Sequence, residues 1–161
     1  MELGSIATPW IPNPADAEYS ALGFDDGIEY DVSGFCNNGT KNGAITYDTD
    51  TPRYRLSTYF ANNNYIKFKL PENMYQITYS FWVKADTYNN HNAIVSRFSN
   101  PGGGNGGPWL SVNTESAGAW AYIGNISPNY TKTNIGLLST GEWHHLCWVF
   151  DNGSAKWYVD G

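Results

Sequence analysis

The sequence is short of cysteine, of basic residues and of long apolar runs, and each shortage excludes a class of protein. Its 161 residues contain two cysteines, too few for a disulfide scaffold. Nine lysines and arginines against fifteen aspartates and glutamates give a net charge of −6, and the basic residues are scattered singly. That distribution argues against binding to a nucleic-acid backbone. No apolar run approaches the roughly 20 residues of a membrane span. We therefore expect no nucleic-acid partner and no membrane insertion.

Helix-forming material is also scarce, whereas turn-forming and aromatic residues are abundant. Only two methionines are present, and stretches rich in alanine, leucine, glutamate and lysine are few. Seventeen glycines and eight prolines indicate many turns, while aromatics at 16 % of residues supply apolar surface for a core. A chain of this size typically forms one domain. The composition indicates an all-β domain and excludes helical bundles and coiled coils.

Alternation of apolar and polar residues predicts about ten short strands joined by polar turns. The predicted strands are 28–32, 45–47, 57–60, 65–70, 76–85, 93–98, 109–113, 119–123, 143–150 and 155–159. We expect 57–60 to pair with 65–70, and 109–113 with 119–123. The strand 143–150 is apolar on both faces, so it is expected in the middle of a sandwich. Residues 100–108 and 125–140 are expected to be loops, and 151–154 a hairpin turn.

Four segments occur in an order typical of a known family. They read DVSG and NNGT within 31–40, NNNYIKF at 62–68, YSFWVK at 79–84, and GEWHHLCWVFDNG with KWYVDG within 141–161. Together they resemble laminin-G-like domains, which belong to the concanavalin A-like lectin/glucanase jelly rolls. The resemblance covers roughly residues 28–161 and implies an all-β, two-sheet antiparallel jelly-roll sandwich.

The N-terminal segment GSIATPWIP, residues 4–12, is similar to the end of the jelly rolls that precede such domains in phage tail and minor structural proteins. We interpret 1–18 as a linker or the end of an upstream module, and 19–161 as the laminin-G-like domain. Family domains continue beyond the Val-Asp-Gly turn, so this domain is expected to be incomplete at its C-terminus. The resemblance places the protein in a virion or at a cell surface, beside other modules of the same polypeptide.

The search for catalytic residues yields weak candidates. The carboxylate pairs Asp48/Asp50 and Glu29/Asp31 have a spacing that glycosidases use, but they lie in a loop and on an edge-like strand. The Glu-x-Asp-x-Glu pattern of the glucanase branch is absent. His144-His145 are adjacent strand residues on opposite faces and cannot chelate one ion. We therefore expect no enzyme and a structural role for both histidines.

Calcium is the one cofactor with candidate ligands, because some laminin-G-like domains bind it through loop carboxylates. Asp48, Asp86 and Asp151 lie at predicted strand ends, and solvated turn residues are the alternative interpretation. Cys147 is mid-strand and expected to be a buried free thiol, while a bridge to Cys36 stays open.

Aromatic and amide side chains near two loops are typical of a sugar site, in which a ring stacks on a pyranose and polar groups bind its hydroxyls. The candidate ligand-binding residues are Tyr88, Asn90, His91, Asn105, Trp109, Trp120 and Tyr122. Trp143, Trp148 and Trp157 are expected in the core. For Trp109, a core position and a position in the ligand site are both retained as alternatives. The leading hypothesis is a non-catalytic module of a phage tail or virion-associated protein that recognises cell-surface glycans. The alternatives are a structural or protein–protein interaction domain and, third, a glycoside hydrolase-like domain.

Overall fold

All regular structure in the described part of the chain is β. The computed structural model describes residues 2–4, 38–48, 57–61, 64–68, 76–87, 92–96, 109–114, 118–122, 130–133 and 135–161. The strands are β1 (Glu2–Gly4), β2 (Thr40–Asn42), β3 (Thr46–Asp48), β4 (Ser57–Tyr59), β5 (Tyr65–Lys67), β6 (Gln76–Lys84), β7 (Asn92–Ser96), β8 (Trp109–Thr114), β9 (Gly118–Tyr122), β10 (Tyr130–Thr133), β11 (His144–Asp151) and β12 (Ser154–Val159). Within these ranges there is no helix of the length and hydropathy that a membrane span requires.

The first of two compact units comprises Met1–Met74 and Phe81–Lys84. Its strands follow the order β6-β1-β4-β3, and β2 pairs separately with β5. The short strand β1 is central here, because Leu3 is opposite Thr58 on one side and Val83 on the other. Thr58 and Val83 are fully buried, so this junction of three strands forms part of the unit's core.

The predicted pairing of 57–60 with 65–70 is wrong. β4 pairs with β1 and β3, whereas β5 pairs with β2. The side chain of Asn64 explains part of the difference, since its Nδ2 donates to the carbonyl of Ala44 at 2.7 Å. Gly43 has φ +86°, and a Cβ there would collide with the Asn64 side chain. This contact ties the start of β5 to the turn after β2, so the asparagine-rich segment does not form a simple hairpin.

The second unit comprises Tyr75–Ser80 and Ala85–Gly161. In this unit β12, β11 and the first half of β6 are neighbours in that order. The unit also contains a four-stranded sheet in the order β10-β9-β8-β7. The predicted pairing of 109–113 with 119–123 is confirmed by β8 and β9. As predicted, β11 lies between two neighbouring strands. Its faces differ, however, because Leu146, Trp148 and Phe150 are buried while the residues between them are half-buried.

Trp148 is the centre of an aromatic cluster in this unit. Its ring stacks on Tyr79 and Phe150, with centroids 6.0 and 5.8 Å away. Trp157, its cross-strand partner on β12, packs at 6.5 Å in a tilted arrangement. The predicted core positions of Trp148 and Trp157 are confirmed, whereas Trp143 is half-buried. Full burial of a large apolar side chain stabilises a fold by roughly 3 kcal/mol.

A two-residue turn joins β11 to β12, as the sequence predicts. Asp151 pairs with Ser154, which leaves Asn152 and Gly153 as the loop. Both have positive φ, +45° and +94°. Positive φ at both positions defines a type I′ turn, whose twist matches that of the flanking strands, and Asn-Gly is its preferred sequence. The register of the final hairpin is therefore fixed by local chemistry.

Three described strands fall where no strand was predicted. β10 (Tyr130–Thr133) lies within the stretch 125–140 that was expected to be a loop. β1 lies within the segment interpreted as a linker or upstream module, and pairs with β4 and β6. β2 (Thr40–Asn42) lies between the predicted strands 28–32 and 45–47. All three are only three or four residues long, too short for periodicity to reveal. The predicted strand 28–32, the loop 100–108 and the boundary near residue 18 lie outside the described residues.

Candidate functional site

The register of the four-stranded sheet places three aromatic residues in one row across three strands. Trp109 on β8 is opposite Tyr122 on β9, and Tyr122 is opposite Tyr130 on β10. Ser96 of β7 extends the row beyond Trp109. Directly opposed residues of antiparallel strands lie on the same face of a sheet. The pairing therefore gathers aromatic residues that are up to 21 positions apart in the sequence, between Trp109 and Tyr130.

A second row lies two residues further along the strands. Ser111 on β8 is opposite Trp120 on β9, and Trp120 is opposite Lys132 on β10. Because side chains alternate between faces with a period of two, this row shares its face with the first. We call this surface the aromatic face, and its members are Trp109, Ser111, Trp120, Tyr122, Tyr130 and Lys132. Ser111 is fully buried.

The other face of the same sheet is mostly aliphatic, with threonines on β10. Leu110 is opposite Ala121 and Val95, and both Leu110 and Val112 are fully buried. Small and branched aliphatic residues of this kind pack against a second layer in a sandwich. The sheet thus has one face suited to the core and one that is rich in aromatic residues. Both faces are buried at β8, because Ser111 is as fully buried as Leu110 and Val112. The two faces therefore differ in residue type, and the aromatic face has the residue types of a ligand site.

The structure brings together three of the seven predicted ligand-binding residues. Trp109, Trp120 and Tyr122 belong to the aromatic face, and two of them are direct cross-strand partners. The other four predicted residues lie outside the described residues: Tyr88, Asn90, His91 and Asn105. Tyr130 and Lys132 were not among the predicted residues, because the segment that forms β10 was expected to be a loop. The available signal was the polar alternation with β-branched threonines in the segment YTKT, which favours a short strand.

The carboxylates considered as calcium ligands are not gathered into a metal site in the described part of the chain. There, no group of three or more histidine, cysteine, aspartate or glutamate residues is arranged to hold a metal ion. Asp86 is exposed after β6, and Asp151 accepts hydrogen bonds from Gln76 Nε2 and Asn152 Nδ2 at 2.8 and 2.9 Å. Asp48 ends β3 in the other unit. Of the carboxylate pairs weighed for hydrolysis, Asp50, Glu29 and Asp31 lie outside the described residues.

The two adjacent histidines contact different partners. His145 Nε2 lies 3.0 Å from Ser80 Oγ on β6. His144 instead contacts Ser139 Oγ through Nε2 and Asp160 Oδ2 through Nδ1, each at 2.9 Å. Ser139 Oγ also donates to Glu142 Oε2 at 2.5 Å. Serine, histidine and aspartate linked in this order also occur in nucleophilic hydrolases.

The hydrogen-bond inventory argues against an activated serine. A serine hydroxyl has one proton, and that of Ser139 is donated to Glu142. In a catalytic triad the serine gives its proton to the histidine instead, so Ser139 does not have the arrangement of an activated nucleophile. We call the four residues Ser139, Glu142, His144 and Asp160 the hairpin clasp and interpret it as structural.

Asp160 holds the open end of the final hairpin. Its Oδ1 accepts the His145 backbone N–H at 2.8 Å, and its own N–H donates to the His145 carbonyl at 2.9 Å. The hydrogen bond from His144 is the main cause that lowers the pKa of the Asp160 carboxyl; burial opposes it, and the backbone N–H of His145 lowers the pKa further. Asp160 has φ +53°, a left-handed conformation that aspartate adopts more readily than most residues.

Cys147 is a free thiol on β11 and is half-buried. Burial raises the pKa of this thiol, because a thiolate is poorly solvated there. A raised pKa lowers the thiolate fraction and therefore the reactivity. Cys147 is free, as expected, but half-buried rather than buried, and Cys36 lies outside the described residues.

Comparisons with known proteins show which fold this chain has. Residues 60–161 match the family model of the concanavalin A-like lectin/glucanases superfamily, a laminin G model. A solved structure, domain 4 of AbnA, a GH43 extracellular arabinanase from Geobacillus stearothermophilus in complex with arabinotriose, superposes with a TM-score of 0.67. The two sequences are 21 % identical, and the match covers 88 % of this chain and 68 % of the other. A search of curated proteins gave no significant match. At this identity the likeness supports the all-β jelly-roll fold.

Proposed function

The chain belongs to the concanavalin A-like lectin/glucanase superfamily, and we propose that it is a non-catalytic carbohydrate-binding module whose sugar site is the aromatic face. The family match confirms the family and the fold that the sequence predicted. The similar domain 4 of the arabinanase was solved with arabinotriose, which makes an oligosaccharide the first ligand class to test. Fold alone does not assign a ligand, so the proposal rests on the residues of this chain.

The observation that supports it most directly is the row of Trp109, Tyr122 and Tyr130 across three strands. Aromatic rings present a flat apolar surface on which the C–H face of a sugar ring packs. Neighbouring strands are about 4.8 Å apart, so successive aromatic residues of the row are spaced at a step comparable to one sugar residue. An oligosaccharide that crosses the strands would meet one aromatic residue at each step.

The polar groups around the row complete a sugar-binding pattern. Ligand sites combine an apolar lining with a few polar groups that fix the orientation of the ligand. The register places two polar residues, Ser96 and Lys132, at the ends of the two rows. Strands β7 to β10 contain no aspartate or glutamate, so the face offers no carboxylate pair for glycoside hydrolysis. Binding without turnover is the function that this residue set supports.

The biological setting that we propose is the recognition of cell-surface glycans by a phage tail or another virion-associated protein, in which this module is joined to further modules. It is supported by the similarity of residues 4–12 to segments that precede such domains in tail proteins. Glycan binding is also compatible with an extracellular location outside a virion, and the similar arabinanase is itself extracellular. Immunogold labelling of purified virions with an antibody against the module tests this setting separately from sugar binding.

The binding site is tested by titrating the chain with arabinotriose and with a glycan array, using Trp120→Ala and Tyr122→Ala. We expect each substitution to weaken binding at least about tenfold, since each removes one stacking ring. Tyr65→Ala is the matched control, because Tyr65 is an exposed tyrosine of the other unit and its loss should leave affinity unchanged. Unchanged melting temperatures show that the variants remain folded. Binding that survives both substitutions would place the site elsewhere, and a wild-type chain that binds no glycan would favour the protein–protein interaction alternative.

Release of reducing sugar tests the non-catalytic part of the proposal. Prolonged incubation with each bound oligosaccharide should yield no product above the buffer control. A product that appears with wild type and disappears with heat-denatured protein would establish a hydrolase instead.

A further inference from the structure

Strand β12 is an edge of its sheet in the described part of the chain. β11 lies on one side of it, and no described strand is hydrogen-bonded to its other side. β10 comes within 8 Å of β12, but its hydrogen-bonded neighbour is β9. An edge strand carries a row of backbone N–H and C=O groups that can pair with a strand of another chain.

The register of the final hairpin identifies which backbone groups form this free edge. The N–H of Asp160 donates to the carbonyl of His145, so these two residues are a hydrogen-bonded pair. Such pairs alternate with non-hydrogen-bonded pairs along an antiparallel ladder. Every second residue of β12 therefore directs its N–H and C=O groups towards β11. The others, Ala155, Trp157 and Val159, direct theirs away from it.

β12 lacks most of the features that prevent pairing at the other described edges. Natural edge strands are often very short, interrupted by a bulge or occupied by proline. Here β2, β3 and β5 have three residues each and β10 has four, while the register of β7 is irregular. β12 has six residues, no proline and an uninterrupted register with β11. Among the described edges it is the one best suited to extend its sheet.

The side chains of β12 complement a second copy of the same strand. Two copies related by a two-fold axis place this strand antiparallel to itself. When Trp157 is opposite its own counterpart, Ala155 is opposite Val159, so all three free-edge residues have a partner. The same register places the exposed Lys156 opposite the partner subunit's exposed Tyr158. If Trp157 were opposite Ala155, the two copies of Lys156 would be opposed, and like charges in that position are destabilising. If Trp157 were opposite Val159, Ala155 would lie beyond the end of the partner's strand.

We propose that two copies of this chain associate through their β12 strands, antiparallel about a two-fold axis at Trp157, with Lys156 of each copy opposite Tyr158 of the partner subunit. The pairing supplies about six backbone hydrogen bonds. An ammonium group over the face of a tyrosine ring is attracted to it. A single strand pair buries less than the roughly 1,200 Å² of a standard interface, so we expect a weak dimer with a Kd of about 10–100 µM. The proposal is independent of the sugar site.

Sedimentation velocity of the full chain from about 1 to 300 µM tests the association, and we expect the monomer to convert to a dimer over this range. Tyr158→Lys should weaken the dimer at least about tenfold, because it opposes two lysines. The variant should stay folded, since Tyr158 is exposed. Exchanging the two residues, Lys156→Tyr together with Tyr158→Lys, restores an opposed lysine–tyrosine pair in the proposed register. The exchanged variant should therefore dimerise like the wild type.

Ala155→Pro tests the backbone part of the pairing. It removes an N–H that β11 does not use, so it should weaken the dimer about tenfold and leave the melting temperature close to that of the wild type. Tyr65→Lys is the matched control for Tyr158→Lys, because it changes an exposed strand tyrosine in the other unit and should leave the dimer unchanged.

Two results would overturn the proposed register: a dimer that persists in Tyr158→Lys, or an exchanged variant that is as weakly associated as Tyr158→Lys alone. A wild-type chain that stays monomeric over the whole concentration range would overturn the pairing itself and leave this edge to a different partner.

Discussion

The Nδ1 atom of His144 lies 2.9 Å from Oδ2 of Asp160, which joins the first residue of β11 to the residue that follows β12. The other carboxylate oxygen of Asp160 accepts the backbone N–H of His145. The open end of the hairpin is therefore closed by side-chain and main-chain contacts, while its other end is closed by the Asn152-Gly153 turn. This hairpin carries Trp148 and Trp157, so the clasp holds the strands that build the aromatic core.

The coupling between His144 and Asp160 is measurable by a double-mutant cycle. We expect His144→Gln and Asp160→Asn each to destabilise the chain, with a coupling free energy of about 0.5–1 kcal/mol, since the Asp160 side chain is half exposed and water weakens the pair. Urea denaturation of the wild type, both single variants and the double variant gives the coupling. Asp151→Asn serves as the control, because Asp151 carries its hydrogen bonds at the opposite end of the hairpin. Strictly additive effects of the clasp substitutions would show that the two side chains do not interact.

The same contact predicts a dependence of stability on pH. The fold lowers the pKa of Asp160, chiefly through the hydrogen bond from His144. A carboxylate whose pKa is lower in the folded than in the unfolded state contributes stability above its unfolded pKa, and this contribution is lost as the pH falls through the folded pKa. The stability difference between wild type and Asp160→Asn should therefore be largest near neutral pH and shrink below about pH 4, where the unfolded carboxyl titrates. Thermal denaturation of both proteins from pH 7 to pH 2.5 measures it, and a gap that widens on acidification would contradict the assignment.

Because of the aromatic cluster, alanine substitutions at different positions of this hairpin should lower the free energy of unfolding by very different amounts. Trp148→Ala removes a fully buried ring that contacts Tyr79, Phe150 and Trp157, and should destabilise the chain by about 3–5 kcal/mol. Tyr158→Ala changes an exposed ring and should cost less than about 1 kcal/mol. Chemical denaturation of the two variants side by side checks the contrast. If Trp148→Phe, which keeps an aromatic ring in place, were as damaging as Trp148→Ala, the loss would not arise from the packing described.

Local sequence patterns predicted the final hairpin well. The alternation in 143–150, the Asn-Gly dipeptide and the returning strand 155–159 each act over a few residues, and each agrees with the structure. The core positions of Trp148 and Trp157 follow from the same alternation. The hairpin clasp was not predicted, because a serine, a glutamate and an aspartate near a histidine become a network only when the end of β12 returns beside the start of β11.

Strand pairing over longer distances was predicted less well. The segment 57–60 pairs with β1 and β3 rather than with 65–70, since the choice of partner depends on which strands bury Thr58 and on the contact of Asn64 with Ala44. The candidate sugar site was likewise predicted only in the part that local residue patterns indicate. Trp109, Trp120 and Tyr122 were identified from their residue types and neighbouring glycines, but nothing local indicated that Tyr130 and Lys132 would join them.

The sequence by itself determined the all-β composition, the hairpin with its type I′ turn, and the family to which the chain belongs. These depend on side-chain alternation and turn chemistry, which operate between near neighbours. Only the tertiary structure decided that Trp109, Tyr122 and Tyr130 stand in one row, with Lys132 beside Trp120. The physical reason is the cross-strand register: hydrogen bonds between β8, β9 and β10 set which residues are opposed, and a shift of one residue would move each aromatic to the other face.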